Sequence, residues 1–305
     1  MRSIVFNVGG ALATYFEQGE TYVVVDIGKS NEFSPVNDFL LPLFEKKKRR
    51  KNHDGKYVIS QLVVSHPHND HLSDIQPFDK SFCPYLLTCP NNNTKGNSLE
   101  NIRWNRVSSP QDPNIIYLKK MMKNRCIPLR SVDPQHIYIT YIKPGNVERN
   151  KSLLDESYTN NISIVTFIDF GIYSIFLPGD LQKEGMKYLL SDTYCNSLKK
   201  KLGQGVDYLI CPHHGLRSSF SVDLFSSMKD GKTQRLNIVS EKRTSEGNDR
   251  IVDSRYGSAQ YCLGKNNLSK ENDVFQRKTS GGHIFIGDDG NIIISNDINY
   301  LISLF

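Results

Sequence analysis

The chain contains 305 residues, of which 38% are hydrophobic, so it is long and apolar enough to bury a core as one large domain or two small ones. No apolar run approaches the roughly 18 residues that a membrane span needs, which excludes a membrane protein. The six cysteines form no Cys-x-x-Cys pair and favour reduced thiols, and the net charge of +6 permits an anionic partner without requiring one.

The N-terminal third is predicted to be rich in strands. "SIVFNVGG" begins directly as a strand with no secretory signal before it, so we expect a cytoplasmic protein. "ATYFEQGETYVVVDIG" predicts two strands joined at Gln18-Gly19, with Asp26 at the end of the buried second strand. "SPVNDFLLPLF" predicts a helix, and the basic block Lys46 to Lys51 after it is either a solvated helix end or a nucleic-acid contact.

The middle of the chain predicts an insertion or lid at about residues 79–160. Prolines and asparagines break the pattern there, apart from the basic helical piece "IIYLKKMMKNR" and the strand "HIYITYI". "NISIVTFIDFGIYSIFLPGDL" then predicts two buried strands that meet at Phe170-Gly171. One helix in "KEGMKYLLSDTYCNSLKKKL", the strand "VDYLICPHHG", a helix around "SVDLFSSMK", the strand "RLNIVSE" and a hairpin at Asp289-Gly290 follow. The whole predicts a single mixed α/β domain over residues 1–305, with helices outside apolar sheets.

The clearest chemical signal is "SHPHNDH", which follows the predicted strand "KYVISQLVVS". Alternate residues of an extended segment point the same way, so His66 and His68 present two imidazoles to one point. Asp70 and His71 turn to the other side of the same cleft. This spacing is typical of a site for two adjacent metal ions.

Two other strand ends offer further ligands. Asp180 follows a buried strand and a glycine, which suits a carboxylate that bridges two ions, although an ordinary turn aspartate has the same pattern. His213 and His214 end another strand, where a pair of core histidines is the alternative. Each ion needs at least three protein groups, and five of the eight histidines lie at strand ends in two clusters. We therefore expect a metal centre.

The motifs "SHPHNDH", "PGD" and "PHHG", with "VVVDIG" before them, resemble the metallo-β-lactamase fold. They are most similar to the C-terminal hydrolase domain of the ComEC family of DNA-uptake proteins, in which His-His-Gly follows Gly-Asp. The likeness covers most of the chain in order, without the membrane channel to which that domain is normally fused. It implies a stand-alone α/β (α+β) hydrolase, an αββα sandwich with the metals at its strand ends.

The resemblance also implies roles for individual residues. The first metal would be held by His66, His68 and one of the tandem histidines, with His214 favoured over His213. The second metal would be held by Asp70 and His71, with Asp180 as the bridge. Asp26 would orient the ligand loop without touching metal, and Asn161 matches a family asparagine whose function we leave open.

The chain departs from the family pattern at two places. "VGGAL" lacks the acid of the family's opening motif, and Ser258 stands where a histidine would complete the second metal. His283 is a possible substitute, or else a surface strand residue. The expected cofactors are therefore two divalent ions, Zn or Mn, with a weaker second site that favours Mn or Mg.

These residues predict hydrolysis by a metal-activated hydroxide, with Asp70, His71 and Asp180 as the catalytic set and Asp70 also as a proton acceptor. The substrate expected first is a phosphodiester in nucleic acid or a nucleotide, with Arg217 near the phosphate and the basic block beside its path. One alternative is a small ester, thioester or lactam. Another is a regulatory or binding protein with a degenerate metal site. The sequence does not indicate which protein partners the chain has.

Overall fold

The computed structural model describes residues 1–90, 101–125, 131–191, 195–241, 251–267 and 274–305. The five cysteines within these ranges are not joined in disulfides, and Cys126 lies outside the described residues. Among the described residues, no helix combines the length and the apolar character needed to cross a membrane.

Two mixed β-sheets form the middle of the structure. The first has seven strands in the order β13 (Ile292–Ser295), β12 (His283–Ile286), β1 (Arg2–Val5), β2 (Ala13–Gln18), β3 (Thr21–Ile27), β4 (Tyr57–Val63) and β5 (Phe82–Thr88). The second has six, in the order β11 (Gln276–Lys278), β10 (Leu236–Val239), β9 (Tyr208–Ile210), β8 (Ser174–Leu177), β7 (Val165–Asp169) and β6 (Ile137–Thr140). The strands β3 to β5 run parallel to one another, as do β8 to β11.

The helices are mostly short. They are α1 (Leu41–Lys46), α2 (Ile75–Ser81), α3 (Pro113–Arg125), α4 (Pro144–Arg149), α5 (Lys151–Asn161), α6 (Lys183–Leu189), α7 (Asn196–Gln204), α8 (Val222–Ser227) and α9 (Ile298–Leu304). A π-helical turn, Pro35–Leu40, leads directly into α1.

Alternation along the strands divides the core into layers. Val23 and Val25 of β3 share one buried cluster with Ile175 and Leu177 of β8, so the two sheets face each other across it. Val24, between the two valines, belongs instead to the cluster that contains the helix residues. Successive strand residues point to opposite faces of a sheet, so Val24 points away from the other sheet and towards the helix residues. Helices therefore cover the outer faces. The predicted αββα sandwich is confirmed.

Several local predictions differ from the structure. The first hairpin turns at Gly19-Glu20, because Gln18 still pairs with Thr21. The single helix predicted after Asp180 is two helices, α6 and α7. The range 79–160, predicted as an insertion or lid, includes β5, a strand of the first sheet, and β11 and α9 were not predicted at all.

The parallel strands bring their carboxyl ends to one edge of the sandwich. Ile164, just before β7, donates its backbone N–H to the Ser65 carbonyl after β4, at 2.7 Å, and so links the two sheets. His213, after β9, donates its backbone N–H to the Gly179 carbonyl after β8, at 3.2 Å. The segments that carry the predicted ligands therefore meet at this edge.

Candidate metal centre

Asp26 anchors the ligand loop, defined here as residues 65–71. It is fully buried near the end of β3 and has a left-handed backbone, with φ +58°. Its Oδ1 accepts the backbone N–H of Ser65 at 2.7 Å, while Oδ2 accepts the Ser65 hydroxyl at 2.7 Å and His71 Nδ1–H at 2.8 Å. This is the position that a carboxylate needs to orient a ligand loop, and the role itself stays a prediction.

The ligand loop is held tightly against the first sheet. Leu12 donates its backbone N–H to the Asp70 carbonyl at 3.1 Å. A Cβ at Gly28 would lie 1.9 Å from that same carbonyl oxygen, so only glycine permits this approach. Within the loop, the rings of His66 and His68 are joined by a hydrogen bond of 2.9 Å between Nε2 and Nδ1.

Asp180 lies between the two sheets at the end of β8. Gly179 before it has φ +59°, and a Cβ there would approach the Cβ atoms of Ser65 and Ser163 to 3.0 Å. The Asp180 backbone N–H donates to the Ser163 hydroxyl at 3.2 Å. Its Oδ1 lies 3.2 Å from His71 Nε2, and its Oδ2 lies 3.6 Å from His66 Nε2.

The tandem histidines have left-handed backbones, with φ +48° at His213 and +57° at His214, and the planes of their rings are inclined by 53°. His214 Nδ1 donates to the Ser240 carbonyl at 3.2 Å, and its Nε2 lies 3.2 Å from Asp70 Oδ2. Because a carbonyl only accepts, the neutral ring leaves Nε2 with a free lone pair. His213 Nε2 lies 3.8 Å from Asp180 Oδ2.

The donors form two groups that share Asp180. One consists of Asp70, His71, Asp180 and His214, and the other of His66, His68 and Asp180. Two buried atoms in these groups, His71 Nε2 and Asp180 Oδ2, have no hydrogen-bond partner. Buried polar atoms are rarely left unpaired, and a cation among them would use both. The donor set therefore fits divalent metal ions.

The electrostatics of the centre also require positive charge. Burial alone would raise the pKa of Asp180, but the charges of His71, His214 and His66 hold that pKa well below its usual range. Burial would lower the pKa of His71, yet Asp180, Asp26 and Asp70 raise it well above its usual range. Protons on histidine and a bound cation can each supply this charge, so they compete for the same atoms.

The structure groups the histidines differently from the expectation. His214 was favoured for the ion of His66 and His68, but its Nε2 lies with Asp70 and His71. The second group consequently has four donors, and the deficit expected at Ser258 does not arise there. Ser258 itself donates its hydroxyl to the Arg255 carbonyl at 2.9 Å.

His283, the expected extra ligand, is not brought into either donor group of the described residues. Its ring is 4% exposed and lies 4.5 Å from the ring of Phe33 and 5.9 Å from that of Phe6. Its Nδ1 accepts the backbone N–H of Asn7 at 3.0 Å. The alternative interpretation, that His283 is a surface strand residue, does not hold either, because β12 is covered on the face that carries this ring.

The basic block Lys46 to Lys51 lies at the other end of the first sheet. Lys51 pairs with Tyr57, the first residue of β4, whereas the ligands follow the last residue of that strand. Seven strand residues span roughly 20 Å. Arg49 forms an ion pair with Glu17 at 2.5 Å. The block therefore lies at the opposite end of β4 from the ligand loop.

Arg217 lies close to the tandem histidines in sequence and in structure. It is exposed and begins the short turn Arg217–Ser219, whose Ser218 hydroxyl lies 3.4 Å from His213 Nδ1. Hydrogen bonds from Arg255 are the main cause of the lowered pKa of Asp253, and the charge of Arg217 lowers it further.

Sequence reasoning missed the groups that support the donors. Ser65, Ser163 and Ser240 contact donor residues through a hydroxyl or a carbonyl, and single serines carry no distinctive sequence signal. Asn161, whose function was left open, donates Nδ2 to the Leu153 carbonyl at 2.9 Å, while its Oδ1 accepts the Gln182 backbone N–H at 3.2 Å. Its amide thus links α5 to the segment after Asp180.

No protein-family model and no curated protein sequence matches this chain. Among solved structures, the metallo-beta-lactamase fold protein YhfI from Bacillus subtilis is 13% identical with a TM-score of 0.39, over 81% of this chain and 89% of that one. A candidate Zn-dependent hydrolase of the metallo-beta-lactamase superfamily from Thermotoga maritima is 11% identical with a TM-score of 0.38, over 91% and 96%. A candidate metallo-beta-lactamase from the same organism is 11% identical with a TM-score of 0.35, over 68% and 84%. Likenesses this low carry no part of the functional argument, which rests on the donor groups.

Proposed function

We propose that this chain is a metal-dependent hydrolase that cleaves phosphodiester bonds in nucleic acid or nucleotides. The observation that carries the proposal is the convergence of three strand ends on two donor groups, with two buried donor atoms that have no hydrogen-bond partner. An intact donor set of this kind argues against a degenerate site. The order of the motifs also supports a ComEC-type hydrolase.

Divalent ions in these groups would supply Lewis-acid polarisation of a phosphoryl oxygen and ionisation of a water near neutral pH. The protein's own residues prepare the centre for them. Asp26 and the Ser240 carbonyl accept the Nδ1–H of His71 and of His214, which directs both Nε2 lone pairs inward. Asp70 has a side chain 39% exposed, so its carboxylate can accept a proton from a water at the rim.

Arg217 supports a phosphate substrate over a neutral one. Its guanidinium is exposed in the turn that follows the tandem histidines, where it can contact a phosphate oxygen with two N–H groups. On the other side of the centre, Asn114 at the start of α3 donates Nδ2 to Asn69 Oδ1 in the ligand loop, at 2.9 Å. We place α3 as one wall of the substrate cleft.

A substrate panel tests the proposal. The purified protein with Mn²⁺ or Zn²⁺ is offered single-stranded DNA, duplex DNA, RNA, cyclic nucleotides and bis(nitrophenyl) phosphate, beside nitrophenyl acetate and a lactam. We expect phosphodiester turnover that falls at least 100-fold in Asp70→Ala/His71→Ala. The matched control is His53→Ala/Asp54→Ala, an adjacent exposed His and Asp pair outside the donor groups, which should retain full activity.

Turnover of only esters or lactams would refute the phosphodiester assignment. Phosphodiester turnover that persists in Asp70→Ala/His71→Ala would refute the role of the centre. Nucleic-acid binding that needs no metal and leads to no cleavage would instead identify a binding protein. Arg217→Ala should raise KM for the phosphodiester with little change for the acetate, and Arg217→Lys should recover part of the loss.

A further inference from the structure

The two donor groups are not equally prepared for an ion. In the group of Asp70, His71, Asp180 and His214, the separations are 3.2 Å from His214 Nε2 to Asp70 Oδ2 and 3.2 Å from His71 Nε2 to Asp180 Oδ1. Those from His214 to Asp180 and from His71 to Asp70 are 3.9 and 4.0 Å. A tetrahedral ion with bonds near 2.0 to 2.1 Å needs donors about 3.3 to 3.4 Å apart. This group needs only small shifts.

The group of His66, His68 and Asp180 is less complete. It has three donors where the other has four. His66 Nε2 and His68 Nδ1 are also joined by a hydrogen bond of 2.9 Å, so one ring nitrogen holds a proton that the other accepts. An ion at this group would have to replace that bond. Binding here therefore starts from one donor fewer and a competing interaction.

His213 is placed to supply the missing nitrogen. Its Nε2 lies 3.8 Å from Asp180 Oδ2, the same oxygen that lies 3.6 Å from His66 Nε2. His214 Nε2 lies 3.9 Å from that oxygen as well, but it also lies 3.2 Å from Asp70 Oδ2, which places it with the first group. His213 belongs to neither complete group, so its ring has to move to reach an ion.

We infer that the tandem histidines serve different ions, His214 a tightly held one with Asp70 and His71, and His213 a weakly held one with His66 and His68. The inference rests on the proposed metal centre and adds an order of loading to it. The two ions bind one after the other, and the second is the one that the protein loses first.

Metal titration of the full chain tests the inference without substrate. Co²⁺ is added to metal-free protein while heat and the visible absorption of the bound ion are recorded. We expect two ions per chain, the first with a Kd at least tenfold below that of the second. His68→Ala and His213→Gln should weaken the second ion at least tenfold and leave the Kd of the first within about threefold. His214→Gln should weaken the first.

The control variant is His53→Ala, whose imidazole is 90% exposed and outside both groups. Circular dichroism of each metal-free variant identifies any that fail to fold, and the absorption band then reports the site in the others. Two ions of equal affinity, a single bound ion, or a first ion weakened by His213→Gln would each overturn the inference. Absence of hydrolysis by the loaded protein would overturn the proposed function and leave the titration result standing.

Discussion

Asp26→Asn isolates the role of a buried carboxylate that touches no ion. The amide has to place its oxygen at the Ser65 backbone N–H, because that group can only donate, at the 2.7 Å contact now made by Oδ1. The amide nitrogen then replaces Oδ2, 2.8 Å from His71 Nδ1, and faces it as a donor. His71 must become the acceptor there and carry its proton on Nε2. That proton occupies the atom that would bind metal.

The size of the effect follows from these contacts. Loss of a group that orients a ligating histidine typically costs 10- to 100-fold in metal affinity, or about 1.4 to 2.7 kcal/mol. The free energy of unfolding should fall by a comparable amount, about 1 to 3 kcal/mol, because asparagine keeps the Ser65 contact and tolerates the left-handed backbone at φ +58°. Metal affinity should therefore fall while the protein remains folded.

The assay is a competition between metal-free protein and a chromophoric chelator for Zn²⁺ at pH 7.5. Urea unfolding of the same samples gives the free energy of unfolding. Asp54→Asn, in an exposed turn, is the matched control and should leave both quantities unchanged. A folded Asp26→Asn variant whose zinc affinity stays within twofold of the wild type would refute the role assigned to this hydrogen bond.

Two further predictions concern Gly28, beside the ligand loop, and the buried His283. Gly28→Ala should weaken zinc binding and lower the free energy of unfolding, because its Cβ would lie 1.9 Å from the Asp70 carbonyl oxygen. The control Gly281→Ala, whose Cβ would have no atom within 4 Å, should do neither. Equal behaviour of the two variants in the same competition and urea assays would contradict this. Burial lowers the pKa of His283 to about 4 from 6.5, so the folded state disfavours its proton. Its contribution to the free energy of unfolding should be fully present above pH 6.5 and decline as the pH falls towards 4. Between pH 7.5 and pH 5, the free energy of unfolding should fall by about 2 kcal/mol because of this group. His283→Asn, which can still accept the Asn7 N–H, should remove that part of the pH dependence in urea unfolding. A variant with the wild-type pH dependence would show that His283 does not titrate in this way.

The sequence predicted the residues of the centre because each lies directly after a buried strand. His66, Asp180 and His214 follow apolar runs whose length and β-branched content indicate strands, and parallel strands end at a common edge. These are local signals. The layered sandwich follows from the same runs, whose alternate residues Val23 and Val25 face the other sheet.

Other features depend on contacts between distant segments and were not predictable in this way. The partner of each tandem histidine depends on backbone angles, and non-glycine residues rarely adopt the left-handed region. His283 looked like an available ligand, but Phe6 and Phe33 enclose its ring from segments more than 200 positions away in the chain. The strand β11 has three residues, too few for a periodic pattern, and forms because it pairs with β10.

The backbone of the centre indicates how the fold maintains it. Asp26, His213 and His214 are non-glycine residues with positive φ, and each such conformation costs on the order of 1 kcal/mol. Hydrogen bonds offset this cost in the folded chain: Asp26 accepts three, and His213 donates its backbone N–H to Gly179. The same strained residues direct the carboxylate and both rings toward Asp180 and the ligand loop. A turn can be built without these strained residues, so the turn itself does not require histidine. The cost is therefore best explained by selection for the donor positions rather than for stability.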